Sequence, residues 1–188
     1  MIRSFLAIEL PATVQTKIGK IEEDVGLTSA DVRWVSPEKI HLTLKFFGNI
    51  EESKIDSIVA AIKGPIGLAK PFHLSVRGTG AFPNLKNPRV IWIGLVDAGG
   101  ILAPLQKEVE SSLEKIGFEP EDRPFRPHLT LGRVKSNRGK EELIRGVEKY
   151  REEEIGTFQV EKMVLFKSDL TPTGPIYTRL REVKLGEG

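Results

Sequence analysis

Two stretches of the chain carry residue types at a spacing suited to proton transfer: His41-Leu42-Thr43-Leu44 and its repeat, His128-Leu129-Thr130-Leu131. In a strand, alternate side chains share a face, so each tetrad shows an imidazole and a hydroxyl to one side and two leucines to the other. Only three histidines occur in 188 residues, and two of them sit in this pattern. An imidazole, with an ordinary pKa of about 6.5, serves as acid or base near neutral pH, and a pair covers both roles in one turnover. Cleavage of a phosphodiester asks for that division. One group takes a proton from the attacking oxygen, the other gives one to the leaving oxygen, and in-line geometry sets them on opposite sides of the phosphorus. Threonine hydroxyls beside the rings can hydrogen-bond the non-bridging oxygens, where charge must be stabilised. The plainer alternative is two half-buried amphipathic strands whose histidines are merely satisfied; one tetrad alone favours that alternative, and the repeat does not.

The charge around the tetrads agrees with an anionic ligand. From Arg123 to Lys140 there are six basic residues, Arg123, Arg126, Arg133, Lys135, Arg138 and Lys140, and no acid. This collar is what a nucleic-acid ligand requires, although a charge run is also what a solvated face looks like. Arg126 shares the face of His128 if the strand extends that far. Arg133 stands at an odd offset and faces away unless Gly132 breaks the alternation. Arg33, Lys39 and Lys45 flank the first tetrad more loosely. A zinc site needs a third or fourth ligand. The only acid within a few residues of either tetrad is Glu38, at an odd offset from His41, so no metal is expected. His73, in His73-Leu74-Ser75-Val76, mimics the tetrad with serine for threonine; it reads as a strand histidine in or near the core, outside the site.

These side chains need strands to hold them, and the chain supplies strands and helices in alternation. Ile2 to Glu9 reads as a strand. Pro11 opens a helix with Val14, Ile18, Ile21 and Val25 on one face, ended by Gly26. Val32 to Val35 is a short strand, and Ile40 to Phe47 carries the first tetrad before a turn at Gly48-Asn49. Glu51 to Lys63 is a second helix, with Gly64-Pro65 as its stop. Pro71 to Arg77 and Arg89 to Leu95 read as strands separated by a turn-rich stretch that begins at Gly78. Ile101 to Ile116 is a third helix, and His128 to Val134 is the strand of the second tetrad. Lys140 to Glu153 reads as a mostly solvated helix. Phe158 to Phe166 and Ile176 to Leu185 close the chain, with Thr171-Pro172-Thr173-Gly174-Pro175 between them.

The expected fold is therefore α+β and bilobal: a duplicated unit over residues 1–188, read as one domain, with one tetrad in each half. Its 39% hydrophobic and 29% charged residues are those of a globular chain, and a net charge of +2 by itself argues neither for nor against nucleic acid. With no cysteine, disulfides and thiolate chemistry are excluded. The N-terminal apolar run is cut by Glu9 and reads as a strand, not a signal peptide, and no apolar run approaches the roughly 18 residues of a membrane span. A cytoplasmic protein with no membrane partner is expected. Few Asn, Gln and Met with abundant Lys and Glu lean towards a thermophilic source.

The ordered set of motifs resembles a known family. It comprises the two tetrads, the approach Val32-Arg33-Trp34-Val35, Lys45-Phe46-Phe47-Gly48, Gly80-Ala81-Phe82-Pro83, Pro88-Arg89-Val90-Ile91-Trp92 and Phe125-Arg126-Pro127-His128. These resemble the 2H phosphoesterases, and among them the RNA 2',3'-cyclic phosphodiesterases, also called 2'-5' RNA ligases. The resemblance runs on to Ser168-Asp169-Leu170 and Gly174-Pro175-Ile176-Tyr177, nearly the whole chain. It implies two antiparallel sheets facing a central cleft, with helices on the outer faces. It also implies opening of a terminal 2',3'-cyclic phosphate on RNA to a 2'-phosphate, with no metal or nucleotide cofactor, and the reverse joining of ends as a 2'-5' linkage. By resemblance alone, His41 is the proton donor and His128 the acceptor. Thr43 and Thr130 match phosphate-contacting positions, and Arg133 matches an arginine found after the second motif. Arg126 and Tyr177 complete the candidate substrate-binding set. Arg179 stands where some members have proline, a departure expected to touch the closing strand and not the chemistry.

The expected partners are RNA ends bearing the cyclic phosphate, tRNA fragments among them, with no obligate protein partner. Phe46, Phe82, Trp92 and Tyr177 are candidates to stack the terminal base, with core packing the default role for each. Two other readings stay open. One is a related phosphodiesterase acting on small cyclic nucleotides or 2'-5' oligonucleotides. The other is an RNA or nucleotide binding module that grips phosphate without turnover.

Overall fold

A computed structural model describes residues 1–26, 28–172 and 174–187. The strands are β1 (Ile2–Glu9), β2 (Val32–Trp34), β3 (His41–Ile50), β4 (Phe72–Phe82), β5 (Val90–Val96), β6 (His128–Val134), β7 (Glu154–Val160), β8 (Lys162–Thr171) and β9 (Gly174–Lys184). The helices are α1 (Ala12–Gly26), α2 (Ile55–Leu68), α3 (Leu102–Glu114) and α4 (Lys140–Lys149). Short 3-10 turns at Pro37–Lys39 and Glu52–Lys54 precede β3 and α2. Two antiparallel sheets result, one in the order β3-β1-β8-β9 and the other β2-β6-β5-β4-β7. α2 packs on α3 and reaches β9, while α1 and α4 pack together and reach β7 and β4, so each sheet has its own pair of helices.

One apolar core joins the two lobes, with Leu42 and Leu44 of β3 in the same cluster as Leu129 and Leu131 of β6. β1 is buried on both faces. Leu6 and Ile8 belong to this core, while Phe5 and Ala7 join Val164 and Phe166 of β8 in a smaller cluster capped by Tyr177. That second cluster is the floor of the cleft on the β3 side. No helix among the described residues is long and apolar enough to cross a membrane.

Several expected boundaries move. The turn expected at Gly48-Asn49 lies within β3, because both residues pair with Ser4 and Arg3 of β1. Gly64-Pro65 does not end α2: Ile66 and Gly67 are buried, and their packing carries the helix past Pro65 to Leu68. The stretch from Gly78 to Phe82 is strand, since β4 runs through it with a register shift beside Gly78 and pairs with β5 up to Phe82. The solvated helix expected to Glu153 ends at Lys149 and buries Leu143 and Val147. The strand expected from Phe158 to Phe166 is two strands parted at Glu161, β7 in one sheet and β8 in the other. Of the expected closing turn, Thr173 lies outside the described residues. The lobes also differ from the halves of the chain: β8 and β9 join the first tetrad's sheet, and β2 and β4 the second's.

Candidate active site

β3 and β6 touch across the cleft although they belong to different sheets. From the histidine onward both show the same burial sequence, half-buried His and Thr alternating with buried Leu, then a second consecutive buried residue and an exposed one. The break has one cause in both. Thr43 pairs with Ala7 and Lys45 with Leu6, leaving Leu44 as the extra residue of a bulge. Thr130 pairs with Trp92 and Gly132 with Ile91, leaving Leu131 as its counterpart. A bulge inverts the parity of the residues beyond it, so Phe46 and Arg133 come round to the face of the histidines and threonines.

Each histidine is oriented in the same way. The His41 Nδ1 lies 2.8 Å from the carbonyl of Lys39, delivered by the 3-10 turn, and the His128 Nδ1 lies 2.7 Å from that of Arg126. A carbonyl only accepts, so Nδ1 carries the proton in both rings and Nε2 is left for the cleft. Neither threonine hydroxyl has a hydrogen-bond partner among the described residues, which leaves both to meet a ligand.

The surroundings differ. His41 stacks on Phe5 at 4.7 Å between ring centroids and meets the edge of Tyr177 at 5.2 Å. His128 meets the edge of Phe82 at 5.0 Å. Burial lowers the His41 pKa, against the opposing effects of its bond to the Lys39 carbonyl and the charge of Glu9. Burial raises that of Tyr177, opposed by the charges of Arg133 and Arg3. A concavity of about 570 Å³ opens beside His41, lined by Glu9, Glu38, Phe166, Tyr177 and Arg179 among others. No group of three His, Cys, Asp or Glu that could hold a metal ion occurs among the described residues.

The model of the LigT-like phosphoesterase family matches this chain twice in tandem, over residues 8–92 and 93–177. The chain belongs to the LigT-like phosphoesterases. Among its relatives, an RNA 2',3'-cyclic phosphodiesterase of Methanothermobacter thermautotrophicus is 36% identical over 184 residues, 98% of this chain and 99% of that protein. One of Aquifex aeolicus is 35% identical over 189 residues, 99% of this chain and 98% of that protein. The crystal structure of TT0787 of Thermus thermophilus superposes with a TM-score of 0.82 at 28% identity, over 98% of both chains. Escherichia coli LigT complexed with 3'-AMP shares the fold, with a TM-score of 0.76 at 24% identity and 98% coverage of both.

Within this LigT-like frame the other candidate residues divide. Arg133 meets the condition set for it, because the bulge at Leu131 and Gly132 breaks the alternation. Arg126 precedes the strand, and its carbonyl, not its exposed guanidinium, engages His128. Lys45 is corrected outright. Instead of flanking the cleft it is buried on the opposite side, its Nζ 2.8 Å from Glu110 Oε2 and 2.6 Å from the Glu119 carbonyl. Phe46 is 56% exposed and does not fill the core. Trp92 pairs with Thr130 on the cleft face, with Phe82 between it and His128. Gly80 lets that indole lie flat, since a Cβ there would collide with the Trp92 ring. His73 lies on β4 and is exposed, not in the core. Arg179, expected to concern only the closing strand, also lines the concavity, where its guanidinium donates to Glu9 at 2.8 Å.

Sequence reading missed Phe5 and Phe166, whose rings set the polarity around His41, and it missed Glu9 and Arg3. The signal was hidden because β1 is apolar on both faces and shows no period of two over Phe5 to Ile8.

Proposed function

We propose that this LigT-like phosphoesterase opens the terminal 2',3'-cyclic phosphate of RNA to a 2'-phosphate, with the reverse step joining ends as a 2'-5' linkage. The observation that carries the reading is the matched pair of contacting strands, each leaving a histidine Nε2 and a threonine hydroxyl without a partner among the described residues. The names of the relatives, RNA 2',3'-cyclic phosphodiesterases over nearly their full length, support the same substrate. Whole RNA ends, tRNA fragments included, in the cytoplasm belong to the proposal, as does the working of residues 1–188 as one domain.

In this mechanism a water oxygen attacks the phosphorus while His128 Nε2 takes its proton. The bond from phosphorus to the 3'-oxygen breaks, and His41 gives that oxygen its proton, leaving a 3'-hydroxyl and a 2'-phosphomonoester. Thr43 and Thr130 donate to the non-bridging oxygens, and Arg133 balances their charge. Desolvation makes the His41 imidazolium the stronger acid, and the entering phosphate supplies the negative charge that keeps it protonated. Arg126 is assigned a backbone role at His128 and a secondary, long-range one towards RNA. Tyr177 seats the reacting end against His41.

The test is to incubate the protein, in excess EDTA, with a short RNA ending in a 2',3'-cyclic phosphate and to read the linkage of the product. A 2'-phosphate formed at an undiminished rate is expected. No turnover moves the reading to a binding module, and turnover abolished by EDTA moves it to a metal site.

A further inference from the structure

Three arginines stand on the cleft with no acid paired to them among the described residues. Arg33 of β2 and Arg133 of β6 are directly opposite in the antiparallel pair, so their side chains share one face. Like charges in that position repel, and neither side chain forms an ion pair among the described residues. Val32 and Trp34, on either side of Arg33, pack against the core, which turns Arg33 to the cleft. Its guanidinium reaches the other lobe: Nη2 lies 3.9 Å from where a Cβ on Gly174 would sit, at the start of β9.

From the facing sheet comes Arg3. On β1 it shares the side of Phe5, the ring that stacks on His41, and it too is exposed and unpaired among the described residues. The charges of Arg3 and Arg133 both act on the Tyr177 hydroxyl beside His41, and Arg33 stands opposite Arg133 in the strand pair. The opposite end of the cleft is different, for there Arg179 is neutralised by Glu9, and Glu38 and Lys39 add one charge of each sign. A cleft with paired charges at one end and bare guanidinium groups from both sheets at the other is polar along its length. A chain of phosphates leaving the catalytic point is drawn to the bare end.

We propose that Arg3 and Arg33, on opposite sheets beside Arg133 and Tyr177, form a second phosphate subsite that takes the phosphodiester next to the terminal phosphate of an RNA chain. This rests on the proposed function and narrows it, since a mononucleotide carries no such phosphodiester. The two arginines are specificity residues for chain length, and the reacting phosphate remains with the histidines, the threonines and Arg133.

The test compares two dinucleotides that end in a 2'-phosphate, one with a natural internal phosphodiester and one with an uncharged methylphosphonate there. Calorimetry on wild type, Arg3→Gln, Arg33→Gln and the double variant reads affinity without requiring turnover. Both positions are exposed, so folding is not at stake. The wild type is expected to bind the charged dinucleotide on the order of tenfold more tightly, and the double variant to lose that preference. The slope of log affinity against log salt should fall by about 0.7 in the double variant, the share of the one phosphodiester held there. No preference in the wild type, through equal binding or none, overturns the subsite, as does a preference that survives in the double variant. A protein that shows the preference yet opens no cyclic phosphate keeps the subsite and loses the proposed activity.

Discussion

At the bulge of β3 the carbonyl of Leu44 accepts from the Gln106 side chain of α3 at 3.3 Å, whereas at the bulge of β6 that of Leu131 accepts from the backbone N–H of Val35 at 2.7 Å. The next residue diverges in the same sense. Lys45 reaches into a buried network with Glu110, Gln106 and the Glu119 carbonyl, while Gly132 leaves no side chain and lets Val32 and Trp34 close over it. One backbone device is thus held by side-chain charges on the first strand and by close packing on the second. The first should fail when a charge is removed, the second when bulk is added. The Lys45 network also ties the two together, because Glu119 lies in the segment that leads from α3 to Arg126 and His128.

The widest break in the comparison comes from the histidines themselves. His41→Ala and His128→Ala should each slow turnover by about 10²- to 10⁴-fold. The two should differ in pH dependence. Without His128 the acidic limb of the rate profile disappears, because that limb reports deprotonation of the base. Without His41 the alkaline limb goes. Profiles that lose the same limb in both variants would remove the division of roles.

Next in size is Lys45→Met, which leaves the Glu110 carboxylate buried without its cation. Breaking a buried pair from one side costs about 3–5 kcal/mol, read by urea denaturation. Lys45→Met combined with Glu110→Leu should recover most of that loss, since an apolar pair of similar volume avoids both desolvation penalties. If the single variant is as stable as wild type, the network does not hold the bulge. On the second strand Gly132→Ala brings a Cβ to 2.7 Å from Val32 Cγ1 and 3.0 Å from Trp34 Cε3. Overpacking there should cost about 1–3 kcal/mol, and a cavity-making partner such as Val32→Ala should relieve part of it.

This contrast also marks what the chain disclosed before folding. The His and Thr faces were legible because a strand has a period of two, and the repeat of four residues marked both strands at once. The bulges were not. Gly132 hinted at one, but Leu44-Lys45 has no glycine, and Lys45 read as a loose flank of the tetrad because its burial depends on Glu110, 65 residues away. Pro65 failed as a stop because tertiary packing of Ile66 outweighed a lost backbone bond. The exchange of β8 into the first sheet was hidden at Glu161, where no Gly, Pro, Asn or Asp gave a turn signal.

The last contrast concerns the two segments that deliver the histidines. Ahead of His128 no acid lies between Arg123 and Pro127. The turn ahead of His41 rests on α1, where Glu22 is 9% exposed with an unpartnered Oε1 and faces Glu38 of the turn. Burial, helped by the Glu38 charge, pushes the Glu22 carboxyl up to about 8. The folded protein therefore holds a proton there that the unfolded chain releases at about pH 4.5. Between these two values the native state binds more protons, so stability falls as pH rises from about 4.5 to about 8 and levels off above, once Glu22 ionises in both states. Glu22→Gln should abolish this slope and raise the melting temperature at pH 8 by on the order of 10 °C, with little change at about pH 4.5. Melting curves across that range decide it. An unchanged slope would show that the turn beneath His41 is as indifferent to charge as the one beneath His128, and the asymmetry between the two strands would then reside in the bulges alone.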